Sequence, residues 1–222
     1  MNRLIVLVFG LVVPVALPVA RADELAPLFE RGGTFGVGLD LATKVGAGFH
    51  QPFGPFGATV VTELEVGWLL PLPAPVGRGL EVFFASAYQG PRATGSTPVD
   101  PRLAGDGTAS YAIRHHQAVL SLGVRYRLRL PVAWLAPHAS LAARSYLARA
   151  VVTGEAAQQP FGTNRELTAT WGLDGALGVD FLLGPGAILL EFGVGWAPLD
   201  DYVLQSTSTG SLTIVTGYRF FL

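Results

Sequence analysis

The sequence predicts an all-β chain: a closed antiparallel eight-stranded up-and-down transmembrane β-barrel. Three observations predict it. Large apolar side chains recur at every second position through eight segments. The connections between those segments alternate between long and short, as they do when odd hairpins lie on one side of a membrane and even ones on the other. Half of the 222 residues are hydrophobic and only 14% are charged, against about 25–35% for a soluble surface. Beyond the N-terminus, however, no run approaches the ~20 apolar residues of a membrane helix.

The first element is a targeting segment over residues 1–22. Arg3 supplies a positive start, residues 4–13 are apolar, and Ala20-Arg21-Ala22 puts small residues where a signal peptidase reads. Cleavage is expected after Ala22, leaving residues 23–222 as one barrel domain. There is no cysteine, so the exported chain has no disulfide, no thiolate metal site and no lipid-modified cysteine.

The eight segments follow in order. Phe35, Val37, Leu39 and Leu41 alternate with Gly36, Gly38, Asp40 and Ala42. Val60, Leu64, Val66 and Trp68 alternate with Val61, Glu63, Glu65 and Gly67. Leu80, Val82 and Phe84 alternate with Glu81, Phe83 and Ala85, a weaker pattern. Leu120, Leu122, Val124, Tyr126 and Leu128 alternate with Ser121, Gly123, Arg125, Arg127 and Arg129. Residues 135–147 alternate with His138, Ser140, Arg144 and Tyr146. Over residues 167–183 the odd positions are mostly large and apolar, and the even ones include Asp174 and Asp180. Ile188, Leu190, Phe192, Val194 and Trp196 alternate with Leu189, Glu191, Gly193 and Gly195. Leu212, Ile214, Tyr218, Phe220 and Leu222 alternate with Ser211, Thr213, Gly217 and Arg219. A one-residue slip in the 167–183 segment would put two aspartates on the apolar face, which specifies its register.

Between them, connections are expected at 45–56, 71–78, 89–110, 131–134, 152–166, 184–186 and 198–209. Gly184-Pro185-Gly186 reads as a compact turn. The 89–110 stretch, with Arg92, Asp100, Arg102 and Asp106 among Gly, Pro, Ser and Thr, reads as an exposed loop.

Alternation alone does not say which face meets lipid, because a lipocalin-like soluble barrel also alternates, with its apolar face inward. The second face here is rich in Gly, Ala, Ser and Thr, which suits a narrow lumen better than a soluble exterior. Aromatics also gather near strand ends: Trp68, Tyr126, Trp134, Phe181 and Tyr218 at the short turns, Tyr88, Tyr111, Trp196 and Tyr202 at the long loops. Two such belts match the girdles of a transmembrane barrel. The last segment ends Gly217-Tyr218-Arg219-Phe220-Phe221-Leu222.

On these features the mature chain resembles the small outer-membrane barrels of the OmpA/OmpX type, without a peptidoglycan-binding domain. The resemblance implies residence in the bacterial outer membrane and contact with its lipids and lipopolysaccharide. It also implies delivery by periplasmic chaperones and the barrel-assembly machinery, with Gly217, Phe220 and Leu222 as the assembly signal. The final residue departs from the aromatic that usually ends that signal.

Candidate chemistry concentrates on the second face. Asp40, Glu63, Glu65, Glu81, Arg125, Arg127, Arg144, Asp174, Asp180, Glu191 and Arg219 are expected in the lumen. There they would pair as a plug, or line a narrow pore. His138 and Ser140, two apart on one strand, would share that face and could serve a lipid-A-modifying hydrolase. His115-His116 point oppositely and make a poor metal site; His50 falls in a loop and is expected to be solvated. Gly36-Val37-Gly38 and Gly193-Val194-Gly195 lie inside strands and lack the helix start of a phosphate loop. No catalytic residue, metal or cofactor is assigned. The net charge of −1 leaves no electrostatic footprint for nucleic acid. The expected function is that of a non-enzymatic membrane barrel, structural or surface-binding, with minor permeability as a secondary role. The alternatives are the lipid hydrolase and a soluble periplasmic lipocalin-like binder.

Overall fold

A computed structural model of the chain describes residues 38–70, 79–98, 108–128, 130, 132, 134–156, 159–201 and 205–222. The leader, the start of the first predicted segment, the 71–78 turn, Arg129, Tyr202, Asp100, Arg102 and Asp106 lie outside the described residues. Among the described residues no helix is long and apolar enough to cross a membrane.

The strands are β1 (Gly38–Phe49), β2 (Ala58–Leu69), β3 (Leu80–Gln89), β4 (Arg92–Pro98), β5 (Thr108–Arg127), β6 (Leu135–Ala156), β7 (Gln159–Leu183), β8 (Gly186–Trp196), β9 (Pro198–Asp201), β10 (Gln205–Ser208) and β11 (Leu212–Phe221). Every pairing is antiparallel. Going round, β1 pairs β2, β2 pairs β3, β3 pairs β5, and β5 through β8 pair in sequence. Then β8 pairs β11, and β11 returns to β1. Eight strands thus form a closed ring, the predicted barrel. The seam between β11 and β1 runs from Asp40 opposite Phe221 to Phe49 opposite Leu212, and the Leu222 amide donates to the Leu39 carbonyl at 2.8 Å.

The pleat explains the two faces. Alternate side chains of a strand point to opposite sides. In β5, Leu120, Leu122, Val124 and Tyr126 are exposed while Ser121, Arg125 and Arg127 are buried. β8 repeats this, with Ile188, Leu190, Phe192, Val194 and Trp196 outside and Glu191 inside. The exterior is therefore apolar and the interior charged, the reverse of a soluble barrel. In hydrocarbon every backbone polar group needs a partner inside the protein, and closure meets that need without an open edge.

The turns differ in their demands. Leu183 pairs with Gly186, so Gly184 and Pro185 alone reverse the chain. Gly184 has φ 61°, a left-handed conformation that glycine adopts without a Cβ clash.

Four predicted connections need correction. The 45–56 loop starts later, because β1 continues through Lys44 to Phe49. The 89–110 stretch is not one solvated loop: β4 pairs residues 108–114 of an extended β5, from Arg92 opposite Arg114 to Pro98 opposite Thr108. Of the 152–166 stretch, the residues up to Ala156 end β6 and those from Gln159 begin β7, and the two pair with a bulge at Gly154/Glu155. The 198–209 stretch contains the β9–β10 hairpin. These arms extend the wall beyond the apolar band, where strands need only pair. Their Thr, Ser, Gly and Pro content conceals strand structure that a lipid-facing segment displays by alternation.

Candidate functional site

All eleven predicted lumen charges point into the ring, and the structure adds a twelfth, Lys44. His138, expected on the same face, sits among them. Lys44 follows Asp40 and Ala42 at the next inward positions of β1; ending the first segment at Ala42 hid it.

Three arginines form the centre. Arg125 forks onto Glu65, with Nη1 and Nη2 each donating to one carboxylate oxygen at 2.6 Å, and Nη1 also donates to Glu81 at 2.8 Å. Its guanidinium lies 4.7 Å from the centroid of the Phe83 ring. Arg127 donates to Asp40 at 2.8 Å and to Asp180 at 3.1 Å, and also contacts Glu81. Arg219 donates to Asp180 at 2.6 Å and to Glu65 at 2.8 Å. Each carboxylate is shared by more than one cation, so the three arginines and Asp40, Glu65, Glu81 and Asp180 form one unit.

A second group continues from Glu65. Lys44 Nζ donates to Glu65 at 2.6 Å, to Glu63 at 2.8 Å and to Glu191 at 3.3 Å. His138 lies between Glu191, at 3.3 Å, and Asp180, at 3.6 Å. Arg144 reaches Asp174 at 3.0 Å and Glu63 at 4.0 Å. Small residues make the room. A Cβ at Gly67 would collide with the carboxylates of Glu81 and Asp40, and one at Gly178 with the His138 ring.

Asp40, Glu65 and Glu81 bring oxygens close enough together to suggest a cation site. Their oxygens are already engaged by Arg125, Arg127 and Arg219, so fixed guanidinium groups occupy the place of a metal. One void of about 20 Å³ lies between Glu63, Gln89, Arg144, Glu191 and Thr213, room for about one water.

Beyond this layer the interior turns from ionic to apolar. Gln89 donates to Gln117, which donates to Thr209 at 2.6 Å. His50 is fully buried, with Nδ1 3.0 Å from the Gly210 carbonyl. The Phe56 ring lies against His115, at 4.4 Å between centroids, and edge-on to His50 at 6.4 Å. Phe56, Ala93, Ile113 and Leu199 form a buried cluster with Tyr111 and Val152 against it.

Two expectations change here. His50 is not solvated: the 50–57 connection folds over the barrel end and carries it inside. Tyr111 does not belong to the outer aromatic belt, because it packs against the inner cluster. Trp68, Tyr126, Trp134, Phe181, Tyr88 and Trp196 do lie exposed on the outside, and Tyr218 is partly exposed.

The other predicted residues fall as follows. His138 faces two carboxylates and Ser140 is only half-buried, with no hydrogen bond joining the pair. His115 is buried and His116 exposed, where it lies 2.7 Å from the Tyr88 hydroxyl. Gly217 sits on the seam opposite Lys44, and a Cβ there would strike the Thr43 carbonyl. Phe220 and Leu222 face outward.

Neither a family profile nor a curated protein matches the chain. Among solved structures it is similar to a major outer membrane protein from Thermus thermophilus, at 15% identity and TM-score 0.47, covering 83% of this chain and 99% of that one. It is also similar to Neisserial surface protein A, at 16% identity and TM-score 0.43, covering 83% and 97%. A third is Ail, the attachment invasion locus protein of Yersinia pestis, at 12% identity and TM-score 0.39, covering 82% and 97%.

Proposed function

We propose that the chain is a non-enzymatic integral protein of the bacterial outer membrane, with a closed lumen and a structural or surface-binding role. The observation that carries this reading is the ionic network across the barrel interior. Seven carboxylates and five permanent cations, with His138 between two of the acids, meet through bonds mostly of 2.6–3.3 Å. An eight-stranded ring has an interior just wide enough for side chains, and these side chains hold one another in place. A conducting pore would need a continuous file of water, which the shared guanidinium–carboxylate contacts interrupt.

The leader at residues 1–22 and the signal at Gly217, Phe220 and Leu222 complete the reading: export, handover by periplasmic chaperones and insertion by the barrel-assembly machinery. Nothing in the His138 environment favours hydrolysis, since a nucleophile needs its base within hydrogen-bond reach.

Single-channel recording in a planar bilayer tests it. The folded chain is expected to give no discrete conductance steps. An Arg125→Ala/Arg127→Ala/Arg219→Ala chain that still folds is expected to give them. Steps from the unaltered protein would overturn the closed-lumen reading.

A further inference from the structure

The outer wall carries a second cluster of charge, of one sign. Across the β4–β5 ladder Arg92 stands directly opposite Arg114. Arg114 is opposite Val151 on β6, and Val151 is opposite Arg165 on β7. One rung nearer the apolar band, His116 is opposite Arg149 and Arg149 opposite Leu167. Strand parity points all five basic residues outward: they share the faces of Leu120 on β5, Leu147 on β6 and Trp171 on β7, and all five are exposed.

Like charges set directly opposite on a sheet repel, and these four arginines have no ion pair with any described residue. The exposed carboxylate of β6, Glu155, lies farther along the strand, opposite Ser110. The position of the row is as telling as its sign. Toward the membrane the next rungs hold Tyr88, Leu147 and Trp171, all strongly exposed. The surface thus changes from apolar to cationic within two rungs. A groove of about 460 Å³ crosses that boundary, with Val60 and Tyr88 on its apolar wall and Arg92, Arg114 and His116 on its polar wall.

We propose that this row binds the phosphate groups of outer-leaflet lipid, with the acyl chains lying on the apolar rungs below. Guanidinium groups offer paired donors that match phosphate oxygens, and long arginine stems reach a headgroup plane from strands at its edge. Strands lie about 4.8 Å apart, so Arg114 and Arg165, two strands apart, stand about 10 Å from each other. That spacing suits a headgroup with more than one phosphate. The proposal rests on the membrane-barrel reading and adds a ligand class and a site to it.

The test uses the full chain folded into phosphatidylcholine vesicles carrying bis-phosphorylated lipid A, or the same lipid with its phosphates removed. Lipid that stays bound on gentle detergent extraction is measured by native mass spectrometry. The phosphorylated lipid is expected to be retained, and the dephosphorylated lipid not. Arg92→Gln/Arg114→Gln and Arg149→Gln/Arg165→Gln should each reduce retention about tenfold or more, with the matching Lys pairs in between. Equal retention of both lipids, or no loss in either Gln pair, would overturn the proposal. Full displacement by millimolar inorganic phosphate would overturn the lipid source, leaving a site for free phosphate. The contrast between the two lipids on the unaltered protein stands even if a variant fails to fold. A change of gel mobility on boiling reports the barrel separately: its absence in the unaltered protein would mean that the membrane-barrel reading had failed, not the headgroup site.

Discussion

Arg125 of β5 and Glu65 of β2 are joined by two parallel hydrogen bonds of 2.6 Å inside the barrel, 60 residues apart in sequence. Their strands do not pair with each other but each pairs with β3, so the fork bridges over β3 on the inner face of the wall. Leaving a buried charge wholly unpaired costs about 3–5 kcal/mol; without Arg125, Glu65 keeps Lys44 and Arg219 and Glu81 keeps Arg127. Arg125→Met is therefore expected to lower unfolding stability by less than that full penalty, read by tryptophan fluorescence in urea. Arg125→Met with Glu65→Leu should recover only part of it, since Glu65 also serves Lys44 and Arg219.

The two faces of a strand should respond oppositely to one substitution. Leu122 is 61% exposed and lies midway along the apolar stretch of the outer face of β5, between His116 and Leu128. Leu122→Arg would place a charge near the middle of the hydrocarbon, at a cost of about 2–4 kcal/mol. Leu122→Phe should be nearly neutral. Folding yield in vesicles at graded urea separates them. Equal yields would mean that this face does not meet lipid.

Gly67 is where β2 gives way to the carboxylates of Glu81 and Asp40. Gly67→Ala is expected to push both away from Arg127 and Arg125, lowering stability by about 1–3 kcal/mol. Because the same push loosens the plug, fluctuating current in bilayer recording should accompany the loss. A Gly67→Ala chain as stable and silent as the unaltered one would show that the carboxylates have slack.

The cap over the long-loop end should weaken in mild acid. Burial of His50 pushes its imidazole below the ordinary value of 6.5, so the folded chain resists a proton that the unfolded chain accepts. The stability from this group is therefore full above that value and declines as pH falls below it. Hydrogen exchange of residues 50–57 should quicken between about pH 7 and about pH 5, and His50→Asn should remove that dependence. Phe56→Ala, which empties the ring contact with His115, should quicken the same amides at every pH.

The membrane part of this fold was legible because lipid and lumen demand opposite chemistry. Residues such as Leu122 and Arg125 declare strand, register and face together. Past the membrane that demand lapses. Thr94, Thr153 and Thr163 lie in paired strands, yet their neighbourhoods read as loop. Lys44 was legible in principle, two positions after Ala42, but lay beyond the apolar residues used to bound the segment. His50 and Tyr111 were not, because their burial depends on how the 50–57 connection and the β4–β5 arm fold over the barrel end, a tertiary event with no local period. The basic row on the outer wall combines Arg92, Arg114, Arg149 and Arg165 from four strands, and only the register brings them together.

The seam between β1 and β11 makes this wall a problem of order in time. Pairing Lys44 with Gly217 closes a loop through nearly the whole described chain, among the costliest contacts a polymer can make. Until that rung forms, two edges are open at once and Arg219 has Asp180 but lacks Glu65 and Asp40, which lie across the seam. The ring therefore cannot ripen hairpin by hairpin into a sealed object: closure of the shape and the last of the charge neutralisation arrive together, in the step that joins the first strand to the last.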